Sequence, residues 1–104
     1  MSVETEVLWL DEHHIVSLRE LADFSGLREI ELLELAHSGA IPVRDATSNT
    51  YTFGAHVITV ARTACRLRDD FELDTRGVGV ALRLLERVRA LEEEIARLRA
   101  QTPR

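Results

Sequence analysis

The stretch Ser17-Leu18-Arg19-Glu20-Leu21-Ala22-Asp23-Phe24-Ser25-Gly26-Leu27-Arg28-Glu29-Ile30-Glu31-Leu32-Leu33-Glu34-Leu35-Ala36-His37-Ser38-Gly39 decides the fold. It opens on a capping box: the Ser17 oxygen is placed to accept a backbone N–H of the first turn, and Glu20 to reach back. Leu18, Leu21 and Ala22 then share one helix face. Ser25-Gly26-Leu27 ends that helix, because Gly26 has no Cβ to resist a positive φ. A second helix is predicted from about Arg28 to Ser38, closed by Gly39. Two short helices across a tight glycine turn make a helix-turn-helix.

On its C-terminal side, Ile41-Pro42-Val43 and Tyr51-Thr52-Phe53 flank the polar run Asp45-Ala46-Thr47-Ser48-Asn49, which predicts a β-hairpin with a mobile tip. A helix-turn-helix followed by such a hairpin is a winged helix. On its N-terminal side, residues 1–5 are polar and Val7-Leu8-Trp9-Leu10 predicts a strand or an extended segment packed on the core. A third helix is predicted from about Gly54 to Phe71, with Val57, Val60, Ala61, Ala64, Leu67 and Phe71 at helical spacing. Asp74 or Thr75 is placed to cap a fourth, reaching about Ala100 with Pro103 beyond. Its early face is broad: Val78, Ala81, Leu82 and Leu85. Its later face narrows to Leu84, Val88, Leu91, Ile95 and Leu98, four and three residues apart in alternation, the a/d seam of a coiled coil. A helix of about 25 residues spans ~38 Å, whereas a compact chain of this length has a radius of gyration of ~13 Å. The seam is therefore expected to project and to pair with a second copy, in either orientation. The predicted fold class is mainly α: a winged helix-turn-helix with a small β-hairpin over residues 1–53, then a helical hairpin and dimerisation helix over residues 54–104, as one cooperative unit.

The chain's 104 residues suit one small domain and leave no room for a two-lobed enzyme. Apolar residues at 45% and charged residues at 30% are ordinary for a folded protein, and no apolar stretch is long enough to span a bilayer. Glu4 and Glu6 stand where a signal peptide needs basic residues, so a cytoplasmic location is expected. The single cysteine, Cys65, closes no internal disulfide.

Charge divides unevenly along the chain. Residues 1–40 hold nine acids against Arg19 and Arg28, a net of −7, while residues 41–104 carry a net of +2. Adjacent His13 and His14 cannot chelate at helical spacing, His37 and His56 stand alone, and Cys65 reads as a partly buried structural thiol. Carboxylates fall on predicted helix surfaces, and no phosphate loop, nucleophile elbow or metalloprotease motif occurs. No enzyme, metal or cofactor is expected; binding is.

A winged helix ordinarily sends its second helix into the DNA major groove. Here Arg28-Glu29-Ile30-Glu31-Leu32-Leu33-Glu34-Leu35 offers three acids and one base, and phosphates would repel it. Arg62, Arg66 and Arg68 lie near Asp69 and Asp70 on the third helix, so intrahelical pairing is expected there. With Leu32, Leu35 and Ala36 toward the core, Ile30 and Leu33 either pack under the N-terminal segment or point outward beside Glu31 and Glu34. In the second case they form an apolar and acidic surface for a basic protein partner. The candidate partner-binding residues are Asp23, Phe24, Ile30, Glu31, Leu33 and Glu34, and the candidate dimerisation residues are Leu84, Val88, Leu91, Ile95 and Leu98.

Several ordered motifs resemble the chaperone modulator CbpM family, a MerR-like group. They are Trp9-Leu10-Asp11-Glu12-His13-His14, Ser17-Leu18-x-Glu20-Leu21-Ala22-x-x-Ser25-Gly26-Leu27, Glu34-Leu35-x-x-x-Gly39, Arg66-Leu67-Arg68-Asp69-Asp70-Phe71-Glu72-Leu73-Asp74 and Gly79-Val80-Ala81-Leu82-x-Leu84-Leu85-Glu86. The chain departs from the family at Pro42-Val43, where members often carry Glu-Pro. The resemblance implies an inhibitor that binds the J-domain of a CbpA-type, DnaJ-like co-chaperone, whose basic helical face would suit an acidic helix-turn-helix. The competing expectation is a MerR-like DNA-binding transcriptional regulator. A coiled-coil scaffold ranks last, because it leaves the capped helix-turn-helix without a use.

Overall fold

A computed structural model describes residues 14–47 and 50–102. The elements run β1 (Ile15–Ser17), α1 (Leu18–Ser25), α2 (Glu29–His37), β2 (Asp45–Thr47), β3 (Thr50–Gly54), α3 (Val57–Phe71) and α4 (Thr75–Gln101). This is a mainly helical fold, a helix-turn-helix with a small β-hairpin. The extended reading of Val7–Leu10, the His13 reading and the hairpin tip at Ser48 and Asn49 lie outside the described residues.

The predicted caps form. Ser17 Oγ accepts the Glu20 N–H at 3.1 Å, and Glu20 Oε1 accepts the Ser17 N–H at 2.9 Å. Gly26 takes φ +89° and returns its N–H to the Ala22 carbonyl at 3.0 Å. A Cβ there would stand 3.0 Å from Cys65 Sγ on α3, so this turn needs glycine for its backbone and for its neighbour. Gly39, at φ +81°, closes α2 while the Ala40 N–H bonds back to the Leu35 carbonyl at 2.9 Å. Of the two candidate caps for α4, Asp74 is used: its Oδ1 accepts the Gly77 N–H at 2.8 Å.

The hairpin differs from its prediction in register. Ile41-Pro42-Val43 is not a strand; the polar residues Asp45–Thr47 are. Ile41 is buried in the core, where it plugs the end of α2, and Pro42 has no N–H for a ladder. Asp45–Thr47 pair antiparallel with Thr50–Thr52, and the Arg44 N–H extends the ladder to the Thr52 carbonyl at 2.8 Å. A third strand, β1, pairs on the other edge of β3, with Val16 opposite Phe53, giving the order β1-β3-β2. Val16 and Phe53 are both buried, so the sheet closes one end of the core.

The core joins Leu21 of α1, Leu27 of the turn after it, Leu32 and Leu35 of α2, Phe53 of β3, Val57, Ile58, Ala61 and Ala64 of α3, and Val78 and Leu82 of α4. Small residues on α3 let α1 pack closely against it. Phe71, expected on the apolar face of α3, is instead 67% exposed. At α3's end the chain turns out through Glu72, at φ +52°, and Leu73 packs on the core in its place.

Only the start of α4 rests on this head. Val78, Gly79 and Leu82 are buried, and every described residue from Arg83 onward is exposed. A 27-residue helix spans about 40 Å, and the molecule extends 53 Å along its longest axis. Among the described residues, no helix is long and apolar enough to cross a membrane.

Two turn positions should respond oppositely to substitution. Glu72→Gly relieves a left-handed L-residue and should stabilise the protein by about 0.5–1 kcal/mol. Gly26→Ala imposes that conformation on a residue with a Cβ and crowds Cys65, and should destabilise it by about 1–2 kcal/mol. Urea unfolding followed by circular dichroism measures both.

Candidate partner-binding surface

The six residues singled out in the sequence do not form one patch. Glu31 departs furthest from expectation: it is not a surface acid but only 5% exposed. Its Oε1 accepts the Arg28 N–H at 2.9 Å, which satisfies a free amide at the start of α2. The same oxygen accepts Arg68 Nη1 from α3 at 2.6 Å. Arg68 in turn donates Nε to Asp69 Oδ1 at 2.9 Å and faces the Cys65 thiol through Nη2 at 3.5 Å. The arginine expected to pair along its own helix thus ties α3 to α2 as well. Arg62 also leaves its helix: its Nε donates to the Phe24 carbonyl at the end of α1, at 3.0 Å.

These contacts set the charges. Burial pushes the Glu31 carboxyl up, but the Arg28 N–H and the Arg68 and Arg28 guanidinium groups outweigh it and leave the pKa below the ordinary 4.5. Burial pushes the Cys65 thiol above its ordinary value, with Arg68 offsetting only part of the effect. That suits a structural thiol rather than a reactive one. Among the described residues no group of His, Cys, Asp and Glu is placed to hold a metal ion.

With Glu31 turned inward, the outer face of α2 is left to Ile30, Leu33 and Glu34, with His37 one turn further on. These residues are three or four apart and share a face. Ile30 is 54% exposed, Leu33 half-buried and Glu34 exposed. At the far end His37 Nε2 lies 3.0 Å from the Tyr51 hydroxyl, and the two rings meet edge to face. The ridge of α2 is therefore continuous with the wing. This link was absent from the sequence reading, because no local spacing joins residues 37 and 51.

The other candidates sit apart. Asp23 is exposed near the end of α1. Phe24 is half-buried and lines a groove between α1 and α3, together with Thr59, Arg62 and Arg66. Glu34 borders a different groove, between α2 and the start of α4, beside Arg76 and Arg83. On α4, Leu84, Val88, Leu91, Ile95 and Leu98 are 44–60% exposed. Val78 and Leu82 face the head, while Val80 and Leu84, two residues further along and so about 200° around the helix, face away.

Comparison with known proteins agrees with this architecture. The MerR HTH family of regulatory proteins matches residues 16–100. The chaperone modulatory protein CbpM of Escherichia coli strain SMS-3-5 is 32% identical over 88 residues, which cover 85% of this chain and 87% of that protein. The protein of the same name from Shigella boydii serotype 18 matches to the same extent.

The Glu31 pair should govern stability in acid. A carboxyl whose folded pKa lies below its unfolded value contributes stability that is present above the ordinary carboxylate range. That contribution is lost as pH falls through the folded pKa. Glu31→Gln should therefore flatten the fall in melting temperature between pH 5 and pH 3 (roughly the carboxylate range). Glu31→Ala, which also strips the Arg28 N–H of its acceptor, should cost about 2–3 kcal/mol at neutral pH. Thermal melts across that range distinguish the two.

Proposed function

This chain belongs to the MerR HTH family of regulatory proteins and to the chaperone modulatory proteins named CbpM, and from that premise we propose that it binds the J-domain of a DnaJ-like co-chaperone and inhibits its stimulation of Hsp70. Read through its family, the chain is a modulator and not an enzyme. The observation that carries the finer reading is the outer ridge of α2. In a DNA-reading helix-turn-helix this face supplies Arg, Lys, Asn or Gln to base edges. Here Glu29–His37 contains none of them, and the ridge presents Ile30, Leu33 and Glu34. An aliphatic pair, Ile30 exposed and Leu33 half-buried, beside an acid suits a basic helix with an apolar stripe, which is the surface a J-domain offers its Hsp70. Competition for that surface is inhibition, and it takes place in the cytoplasm, where the two proteins meet.

Roles divide within the site. Ile30 and Leu33 supply the apolar contact and Glu34 the attraction, while Asp23, near the end of α1, stands apart from the ridge. Glu31 acts indirectly: by fixing α2 against α3 it decides which residues point outward. Phe24, which faces the other groove, drops out of the ridge.

The active species is a homodimer. Leu84, Val88, Leu91, Ile95 and Leu98 form an exposed aliphatic row on the side of α4 away from the head, the face along which two copies would pair. In heptad terms Arg87 and Glu94 are g positions, and Glu92 and Arg99 are e positions. A parallel pair would set opposite charges against each other. MerR-like relatives pair antiparallel, and a shifted register separates the like charges that a centred antiparallel pair would bring together.

Four measurements test this. In kinetic binding to an isolated J-domain, Glu34→Arg should slow association and flatten its salt dependence. Leu33→Ala should instead speed dissociation by ~1 kcal/mol or more. Co-chaperone-stimulated ATPase of Hsp70 should recover in step. If folded Glu34→Arg and Leu33→Ala variants bind as tightly as the parent, the ridge is not the contact. Sedimentation should show a dimer at tens of micromolar (a concentration at which a mid-strength interface of ~8 kcal/mol is formed) and a monomer for Leu91→Arg; a monomeric parent would refute the seam. A sequence-dependent DNA shift at physiological salt would promote the transcriptional-regulator reading that the family match also allows.

A further inference from the structure

The α2 ridge does not end at Glu34. That side chain also lines a groove of about 300 Å³ between α2 and the start of α4, together with Ser38, Arg76, Val80 and Arg83. The groove is therefore continuous with the ridge and shares its acid. Val80, 53% exposed, gives it an apolar wall. The two arginines give it the opposite charge from the ridge.

These charges are not spent on one another. Among the described residues Glu34, Arg76 and Arg83 form no ion pair, although Arg28, Arg68, Arg89 and Arg97 each pair with an acid. Arg76 is exposed. Arg83 is held in place, because its Nη2 donates to the Ser38 carbonyl at the C-terminal end of α2. A guanidinium carries five N–H donors, so Arg83 keeps others to offer.

Groups that line so small a space act on its occupant within about one Debye length, ~8 Å at physiological salt. A segment that carries only bases meets attraction at Glu34 and repulsion at Arg76 and Arg83. A segment that carries a carboxylate beside its bases meets attraction at both. The planar fork of an arginine also suits a carboxylate, which it takes through two parallel N–H···O bonds.

On the premise that the partner is a J-domain, we propose that its binding surface runs from the α2 ridge into this groove, where Arg76 and Arg83 hold a carboxylate that the partner carries next to the bases facing Glu34. The groove thereby sets specificity: it admits a helix of mixed charge and turns away one that is merely basic.

Arg76→Glu separates these two charge patterns by sign. It should weaken equilibrium binding to an isolated J-domain by about tenfold, with far-UV circular dichroism unchanged. A partner that offers only bases would bind this variant more tightly than the parent. When the J-domain's acids are replaced by Lys one at a time, one replacement should weaken binding to the parent and restore it to Arg76→Glu. Unchanged or tighter binding by folded Arg76→Glu would overturn the proposal and leave the J-domain reading standing, as would the absence of any restoring replacement. A shift in the monomer–dimer equilibrium in place of a change in J-domain binding would give the groove to a second copy and overturn it too. Failure of the parent itself to bind a J-domain would refute that reading and the proposal together.

Discussion

One carboxylate oxygen, Glu31 Oε1, holds two helices in register. It caps the start of α2 through the Arg28 N–H and clamps α3 through Arg68. A buried acid is costly unless its lone pairs are occupied, and here a backbone amide and a guanidinium occupy them together. Arg68 keeps 27% of its side chain in solvent, so its charge is only partly desolvated and the pair avoids the full penalty of an enclosed ion pair. Rotating α2 about its axis would strand this oxygen, and that fixes which of its residues face outward. The surface chemistry of the helix-turn-helix thus follows from an interaction that is itself hidden.

Local rules were sufficient wherever a local contact makes the structure. The Ser17–Glu20 box, the glycines at positions 26 and 39 and the Asp74 cap all act within four residues, and each is legible as written. The length of α4 is equally legible, since nothing between Thr75 and Gln101 breaks a helix. Legibility failed where the decisive partner is distant. Glu31 reads as one acid among three on a helix, and only Arg68, 37 residues away, turns it inward. The strand Asp45–Thr47 is exposed at all three positions and so carries no alternation to detect. β1 is three residues long and exists because β3 offers it an edge. Phe71 keeps helical spacing, but a left-handed Glu72 turns the chain so that Leu73 takes the place on the core.

Which residues of α2 face outward was legible only in part. The excess of apolar residues on α2 left two arrangements open for Ile30 and Leu33, and the structure leaves Ile30 exposed and Leu33 half-buried. Grouping Phe24 with that face assumed that a tight turn brings the end of α1 to the outer side of α2. The Arg62 bond to the Phe24 carbonyl instead ties that end toward α3. A glycine turn shows that two helices are adjacent, but not which sides of them coincide.

Fold and charge lead to different partners in this molecule, and the geometry shows how both can hold. The scaffold needs only the residues that face the core: Leu21, Leu32, Leu35, Phe53 and the small residues of α3. These residues are buried, so the outer positions are free to change from bases to acids without cost to the fold. The wing remains coupled to that outer face through His37 and Tyr51, which lets the hairpin brace the end of α2. A winged helix can therefore keep its shape while its recognition surface changes the class of molecule it suits. The number and type of charged groups along Ile30–His37, rather than the architecture behind them, decides which class that is.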